Sequence, residues 1–163
     1  MRIGVVSDTH GLVRPEVKDA LRGCDIILHA GDINHQGILD ELGTIAPVKV
    51  VRGNNDTAWA AHIPFTLDLE LGGLRICMSH MKRDLPADLT PYDLVVLGHT
   101  HKYSETKQGH TTFLNPGSCG PRRFGQAITM ASIDIIDDEV VIRRIDISPH
   151  HEANRVRSHA SPS

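Results

Sequence analysis

The sequence predicts an α/β fold in a single domain, and three observations carry that expectation. In the N-terminal third, short apolar runs alternate with segments of helical periodicity. Further on, period-two segments joined by tight-turn residues take over. The chain has 163 residues and an apolar fraction of 40%. That is enough for one core burying roughly two-thirds of the unfolded surface.

Ile3, Val5 and Val6 begin the first strand, which ends at Ser7-Asp8-Thr9-His10-Gly11. Pro15, with Val17, Ala20 and Leu21 at helical spacing, predicts a short amphipathic helix. Asp25–Asp32 reads as a buried strand, Ile38, Leu39 and Leu42 as a helix stopped near Gly43, and Pro47–Val51 as a third strand ending in Gly53-Asn54-Asn55-Asp56. This alternation implies right-handed crossovers and a mostly parallel sheet. Thr66–Leu71 and Leu74–Ser79 about Gly72-Gly73 form a hairpin ending in His80. The next ten or so residues, which include Pro86 and Pro91, leave room for one helical turn around Asp84–Leu89. Asp93–Leu97 is another buried strand, ending in Gly98-His99-Thr100-His101. Two more hairpins follow: Tyr103–Lys107 with Thr111–Leu114, and Ala127–Ile135 with Val140–Ile147 about Asp137-Asp138. The domain is expected to span residues 1–148. Residues 149–163 have almost nothing to bury and should be disordered.

Composition removes several function classes. A net charge of −3 supplies no basic field for nucleic acid, and 4% aromatics gives no base-stacking platform. No apolar run reaches membrane-spanning length. Cys24, Cys77 and Cys119 are odd in number and far apart, which speaks against a disulfide framework. The chain enters its first strand without a signal peptide, so a cytoplasmic location is expected. Histidine, with 11 residues, is the surplus to explain.

Five apolar runs end in side chains that can bind metal: Asp8 and His10, Asp32, Asn54, His80, and His99 with His101. In an extended backbone, residues two apart face the same side, so Asp8 and His10 should converge. In open α/β sheets the ligand site lies beyond the carboxyl ends of the strands, where all five endings would gather. Carboxylate and imidazole together, with no thiolate, suit manganese, iron, zinc, cobalt or nickel.

These blocks (Asp8-x-His10, Gly31-Asp32, Gly53-Asn54-x-Asp56, His80 and Gly98-His99-x-His101) resemble the five motifs of the calcineurin-like metallophosphoesterases. The small size, Asn115-Pro116-Gly117-Ser118 and Pro121-Arg122 resemble the compact YfcE-type phosphodiesterases. The resemblance implies a four-layer sandwich: two mixed β-sheets face to face, flanked by short helices. It also implies two divalent ions, with manganese favoured. Asp8, His10, Asp32 and His101 would hold one, and Asp32, Asn54, His80 and His99 the other. The implied reaction is hydrolysis of a small phosphodiester by a hydroxide bridging the ions. Two divalent ions, offset by two aspartates and that hydroxide, leave one positive charge for a diester monoanion. Asn54, Asn55, Asp56 and His80 would serve catalysis, and Arg122 would meet the substrate phosphate. The alternatives are a phosphomonoesterase or nucleotide phosphatase on the same site, or a protein-binding scaffold of the same fold. A homo-oligomer is compatible with the sequence.

Two departures from the family pattern matter. Asn55 stands where relatives carry histidine or cysteine; an amide cannot deliver a proton to a leaving oxygen. Met81-Lys82 follow His80 where relatives usually have Gly-His, which implies a looser second ion. Asp56 is expected to orient its neighbours rather than bind metal. His29 reads as a hydrogen-bonded core histidine, His35 and His62 as surface-loop residues, and Trp59 as a lid or a core edge. Cys119 reads as a loop residue, and His150, His151 and His159 as solvated.

Overall fold

The computed structural model describes residues 1–147 except Phe124. The expected tail 149–163 and its histidines lie outside the described residues. Sheet A takes β1 (Arg2–Val6), β2 (Ile26–His29), β3 (Val48–Val50), β9 (Thr129–Ile136) and β10 (Glu139–Asp146). Sheet B takes β4 (Thr66–Leu71), β5 (Leu74–Ser79), β6 (Leu94–Val96), β7 (Tyr103–Gln108) and β8 (Thr111–Pro116). Their orders are β10-β9-β1-β2-β3 and β4-β5-β6-β8-β7. Both sheets are mixed. The β1–β2–β3 and β5–β6–β8 pairings are parallel, and each hairpin adds an antiparallel edge.

The pleat sorts the apolar residues. Ile3 and Val5 of β1 join Leu28, Ile76, Met78, Leu94, Val96 and Leu114 in the core between the sheets. Val6 turns the other way and packs with Val17 and Leu21 of α1 (Pro15–Leu21) and Ile38 and Leu42 of α2 (Gln36–Gly43). Both helices therefore cover sheet A. The two-residue turns follow from their chemistry: Gly72-Gly73 and Asp137-Asp138 all have positive φ, as the hairpin twist demands.

The outer layer of sheet B differs from the expectation. The helical turn expected over Asp84–Leu89 is instead a single 3-10 turn at Lys82–Asp84. Leu85 begins extended backbone, since it precedes Pro86. Cys77, Val95 and Leu97 on that face are covered by this loop, through Leu85, Leu89 and Tyr92, rather than by a helix. Among the described residues, no helix is long and apolar enough to cross a membrane.

Candidate metal centre

The loops that follow the strands are sewn together before any side chain is considered. The N–H groups of Asp8, His10 and Gly11 donate to the carbonyls of Gly31, Asp32 and Ile33, which ties the β1 loop to the β2 loop. In sheet B, Gly98 N–H donates to His80 O. The sheets are joined where His99 N–H donates to Asp8 Oδ2 at 3.1 Å. Two glycines permit this closeness: a Cβ on Gly53 would collide with Asp32, and one on Gly98 with Ser7.

One expectation is corrected here. Asp8 and His10 are not extended; their φ values are 55° and 44°. Asp32, His99 and His101 are also left-handed, at 59°, 74° and 62°. The side chains converge because the chain turns sharply at each strand end, not because a strand alternates. Aspartate and histidine are among the residues that tolerate this conformation best.

The convergence centres on Asp8 Oδ1. His101 Nε2 lies 3.2 Å from it, His10 Nε2 3.5 Å and His80 Nε2 3.9 Å. Asp32 Oδ2 lies 3.3 Å from His80 Nε2 and 3.7 Å from His10 Nε2. Two ligand groups result: Asp8 with His10 and His101, and Asp8 with Asp32 and His80. Asp8 stands between both groups, whereas the sequence assigned it to one ion; Asp32, which the sequence placed at both ions, lies near His10 of one group and His80 of the other. Asn54 and His99 sit beside them on the exposed side, with Asn54 Oδ1 3.2 Å from His99 Nδ1. The His99 ring meets His80 edge-on at 5.3 Å.

The remaining atoms of these ligands are spoken for. Asp8 Oδ2 accepts from Ser7 Oγ at 2.6 Å as well as from His99. His80 Nδ1–H donates to Ala30 O at 2.7 Å, which fixes the tautomer and turns Nε2 inward. Asp8 Oδ1 and His80 Nε2 are buried without a hydrogen-bond partner. Burial opposes charge on Asp8, yet the imidazoles of His10, His101 and His80 close by and the Ser7 hydroxyl hold its carboxyl well below the usual range. Burial likewise disfavours charged His80, but Asp32 and Asp8 outweigh it and raise its pKa. This pocket attracts positive charge, and its two orphaned atoms point into it. Such a donor set fits divalent ions.

Asn55, expected to serve catalysis, turns both its backbone and its side-chain amide to Asp32. Its backbone N–H donates to Asp32 Oδ1 at 2.9 Å and its amide to Asp32 Oδ2 at 3.0 Å. It holds the carboxylate. Asp56 accepts from four backbone N–H groups, those of Asp32, Ile33, Asn34 and Gly53, at 2.8–3.0 Å. In these bonds it meets only backbone and organises the two loops. Arg122 is exposed and lines a small depression with His101, Ser118 and Gln126.

Sequence reasoning missed Ser7, Ser118 and the fine role of Asn115. Ser118 Oγ donates to Asp8 O at 2.9 Å, and the Asn115 amide donates to Gly98 O and Thr100 Oγ1. Neighbourhood to the motifs was the only available signal. His35 and His62 are exposed, and Trp59 packs on the edge of the helix-side core. Cys119 is wholly buried, and burial pushes its thiol up to about 12. A thiol held that high supplies no thiolate at neutral pH.

His29 is a brace. It is fully buried; Gly31 N–H donates to its Nδ1, so Nε2–H donates to Thr9 Oγ1 at 3.0 Å. One ring thereby links the β1 and β2 loops. Burial lowers its pKa from 6.5 to about 4. An unfolded histidine takes up its proton as pH falls below 6.5, while the folded one resists until about 4. Stability present at neutral pH is therefore lost across that window, by roughly 3 kcal/mol. Thermal unfolding of chelator-treated protein from pH 7 to 4.5 should show this decline, and His29→Gln should flatten it; an unchanged slope in that variant would assign the decline to other groups.

With the geometry described, comparisons with known proteins agree on a family. A model described as the calcineurin-like phosphoesterase superfamily domain matches residues 1–138. A protein of Methanothermobacter thermautotrophicus named "Probable metallophosphoesterase" is 35% identical over 159 residues, covering 86% of this chain and 92% of its own. A solved archaeal phosphodiesterase superposes with a TM-score of 0.75 at 24% identity, covering 90% of this chain and 100% of its own. Vps29 of Entamoeba histolytica, solved in complex with zinc, gives 0.69 at 24% identity, covering 90% and 99%. The last two show the shared fold.

Proposed function

The chain belongs to the calcineurin-like phosphoesterase superfamily, and on that premise we propose that it is a manganese-dependent phosphodiesterase acting on a small phosphodiester in the cytoplasm. The observation that carries this reading is the pair of buried, unpartnered atoms, Asp8 Oδ1 and His80 Nε2, within a cluster of two carboxylates and three imidazoles. Free buried Cys24, Cys77 and Cys119 fit a reducing compartment.

Asp8, His10 and His101 would hold one ion, and Asp8, Asp32 and His80 would shape the other position, completed by Asn54 and His99. Ions bound there would supply an activated water at neutral pH and neutralise the phosphate oxygens. The protein's own part is orientation. Ser7 and His99 N–H fix the outer oxygen of Asp8, Ala30 O fixes the tautomer of His80, and Asn55 grips Asp32 through both oxygens. Asn54 and Arg122, both exposed, would meet a phosphate oxygen.

The Asn55 amide, committed to Asp32, delivers no proton to the leaving oxygen. Hydrolysis should therefore favour diesters with acidic leaving groups and be weak on alkyl monoesters. A screen of mono- and diesters with manganese, zinc, iron, cobalt and nickel tests the activity. A leaving-group series tests the mechanism: kcat should fall steeply as the leaving group's pKa rises, and a flat dependence would demand a proton donor this reading lacks. Preference for monoesters would favour a phosphatase on the same site.

A further inference from the structure

The space leading away from His80 and His99 is much larger than a phosphate requires. It forms a groove of about 790 Å3 continuous with the candidate metal centre through His80, Gly98 and His99. Cavities of roughly 300–1,000 Å3 accommodate ligands of drug-like size, most of whose surface is then buried. The groove lies where sheet B has no helix over it. Leu85, Pro86 and Leu89 of the β5–β6 loop form one wall, and Leu97, just after β6, and Phe113 of β8 form the floor.

The opposite wall is β7. Ser104, Thr106 and Gln108, alternate residues of that strand, line the groove, while Glu105 and Lys107 between them do not. Lys82 and Arg83 also line it, and among the described residues no carboxylate does. An apolar floor, a neutral polar wall, two cations and a metal-binding end form a graded surface. It matches a molecule with an anionic phosphate at one end and a hydrocarbon body behind it. A sugar or a purely polar alcohol would lose its hydrogen bonds to water on that floor and recover few of them.

We infer that this groove seats the organic group of an anionic phosphate ester. Resting on the phosphodiesterase reading above, the substrate is then a diester of an apolar alcohol several carbons long.

The test uses two sets of ligands on the manganese-loaded full chain. The first is p-nitrophenyl diesters carrying methyl or butyl as the second ester group, which share one leaving group. The second is methylphosphonate and butylphosphonate, which cannot be hydrolysed and are measured by calorimetry. Three added methylenes, partly buried, should raise both kcat/KM and affinity about tenfold. Leu89→Asp should bring both butyl-to-methyl ratios close to one. Thr106→Trp, at an exposed strand position where a large residue fills the groove rather than emptying a core, should do the same.

Ratios near one in the unaltered protein, with diesters still hydrolysed, would overturn the groove assignment and leave the phosphodiesterase reading standing. Ratios that persist in both variants would also overturn it, since the chain would then bind elsewhere. No hydrolysis of any ester, together with a tenfold phosphonate preference abolished by Thr106→Trp, would support the groove and overturn the phosphodiesterase reading.

Discussion

Asp8→Asn should lower kcat/KM for phosphodiester hydrolysis by about a thousandfold or more while leaving the protein folded, since ion-mediated stabilisation is worth several kcal/mol. Asparagine preserves the shape and can keep its oxygen toward Ser7 Oγ–H and His99 N–H, the donors that Asp8 Oδ2 accepts from now. What changes is the other atom. Oδ1, which faces His10, His80 and His101, becomes an amide nitrogen that repels a cation. Because Asp8 stands between both ligand groups, calorimetric titration with manganese should lose affinity at both positions rather than at one. Circular dichroism and thermal unfolding serve as the folding controls. A variant that hydrolyses as well as the unaltered protein would remove Asp8 from the chemistry. An unaltered protein inert with every ion would turn attention to the alternative of a protein-binding scaffold of the same fold.

The second large effect belongs to a residue that needs no contact with the substrate. Asp56→Ala should destabilise the chain by about 3–5 kcal/mol, because four backbone donors lose one charged acceptor together. For a chain of this size that corresponds to a fall of about 10 °C or more in Tm. Manganese affinity should also drop, by about 10–100-fold, as Asp32 loses its fixed backbone. Tm with and without manganese separates the two effects. A shift of only a degree or two would mean that the loop-to-loop bonds of Asp8, His10 and Gly11 suffice.

The sequence disclosed the centre well because each ligand follows an apolar run, and buried strands are easily recognised. Asp8, His10, Asp32, His80, His99 and His101 all arrive at one place for that reason. What it concealed are consequences of long-range contact. The left-handed turns at Asp8 and His10 arise because the β1 loop must bond with the β2 loop, which local propensity does not encode. Asn55 was legible as an amide but not as a clamp on Asp32, 23 residues away. The loop that covers the outer face of sheet B was expected to form a helical turn around Asp84–Leu89. Pro86 decided against it.

The left-handed residues at the strand ends have a consequence for how this site can drift under mutation. At φ values of 44° to 74°, Asp8, His10, Asp32, His99 and His101 occupy backbone that aspartate, asparagine, histidine and glycine accept and most others resist. Glutamate could offer the same carboxylate and cysteine a softer donor, yet each would enter with a backbone penalty before it touched an ion. The chain thus screens candidate ligands twice, first for conformation and then for chemistry. Exchanges among aspartate, asparagine and histidine are the changes in donor that the backbone leaves inexpensive, so any retuning of metal preference should proceed along that narrow alphabet.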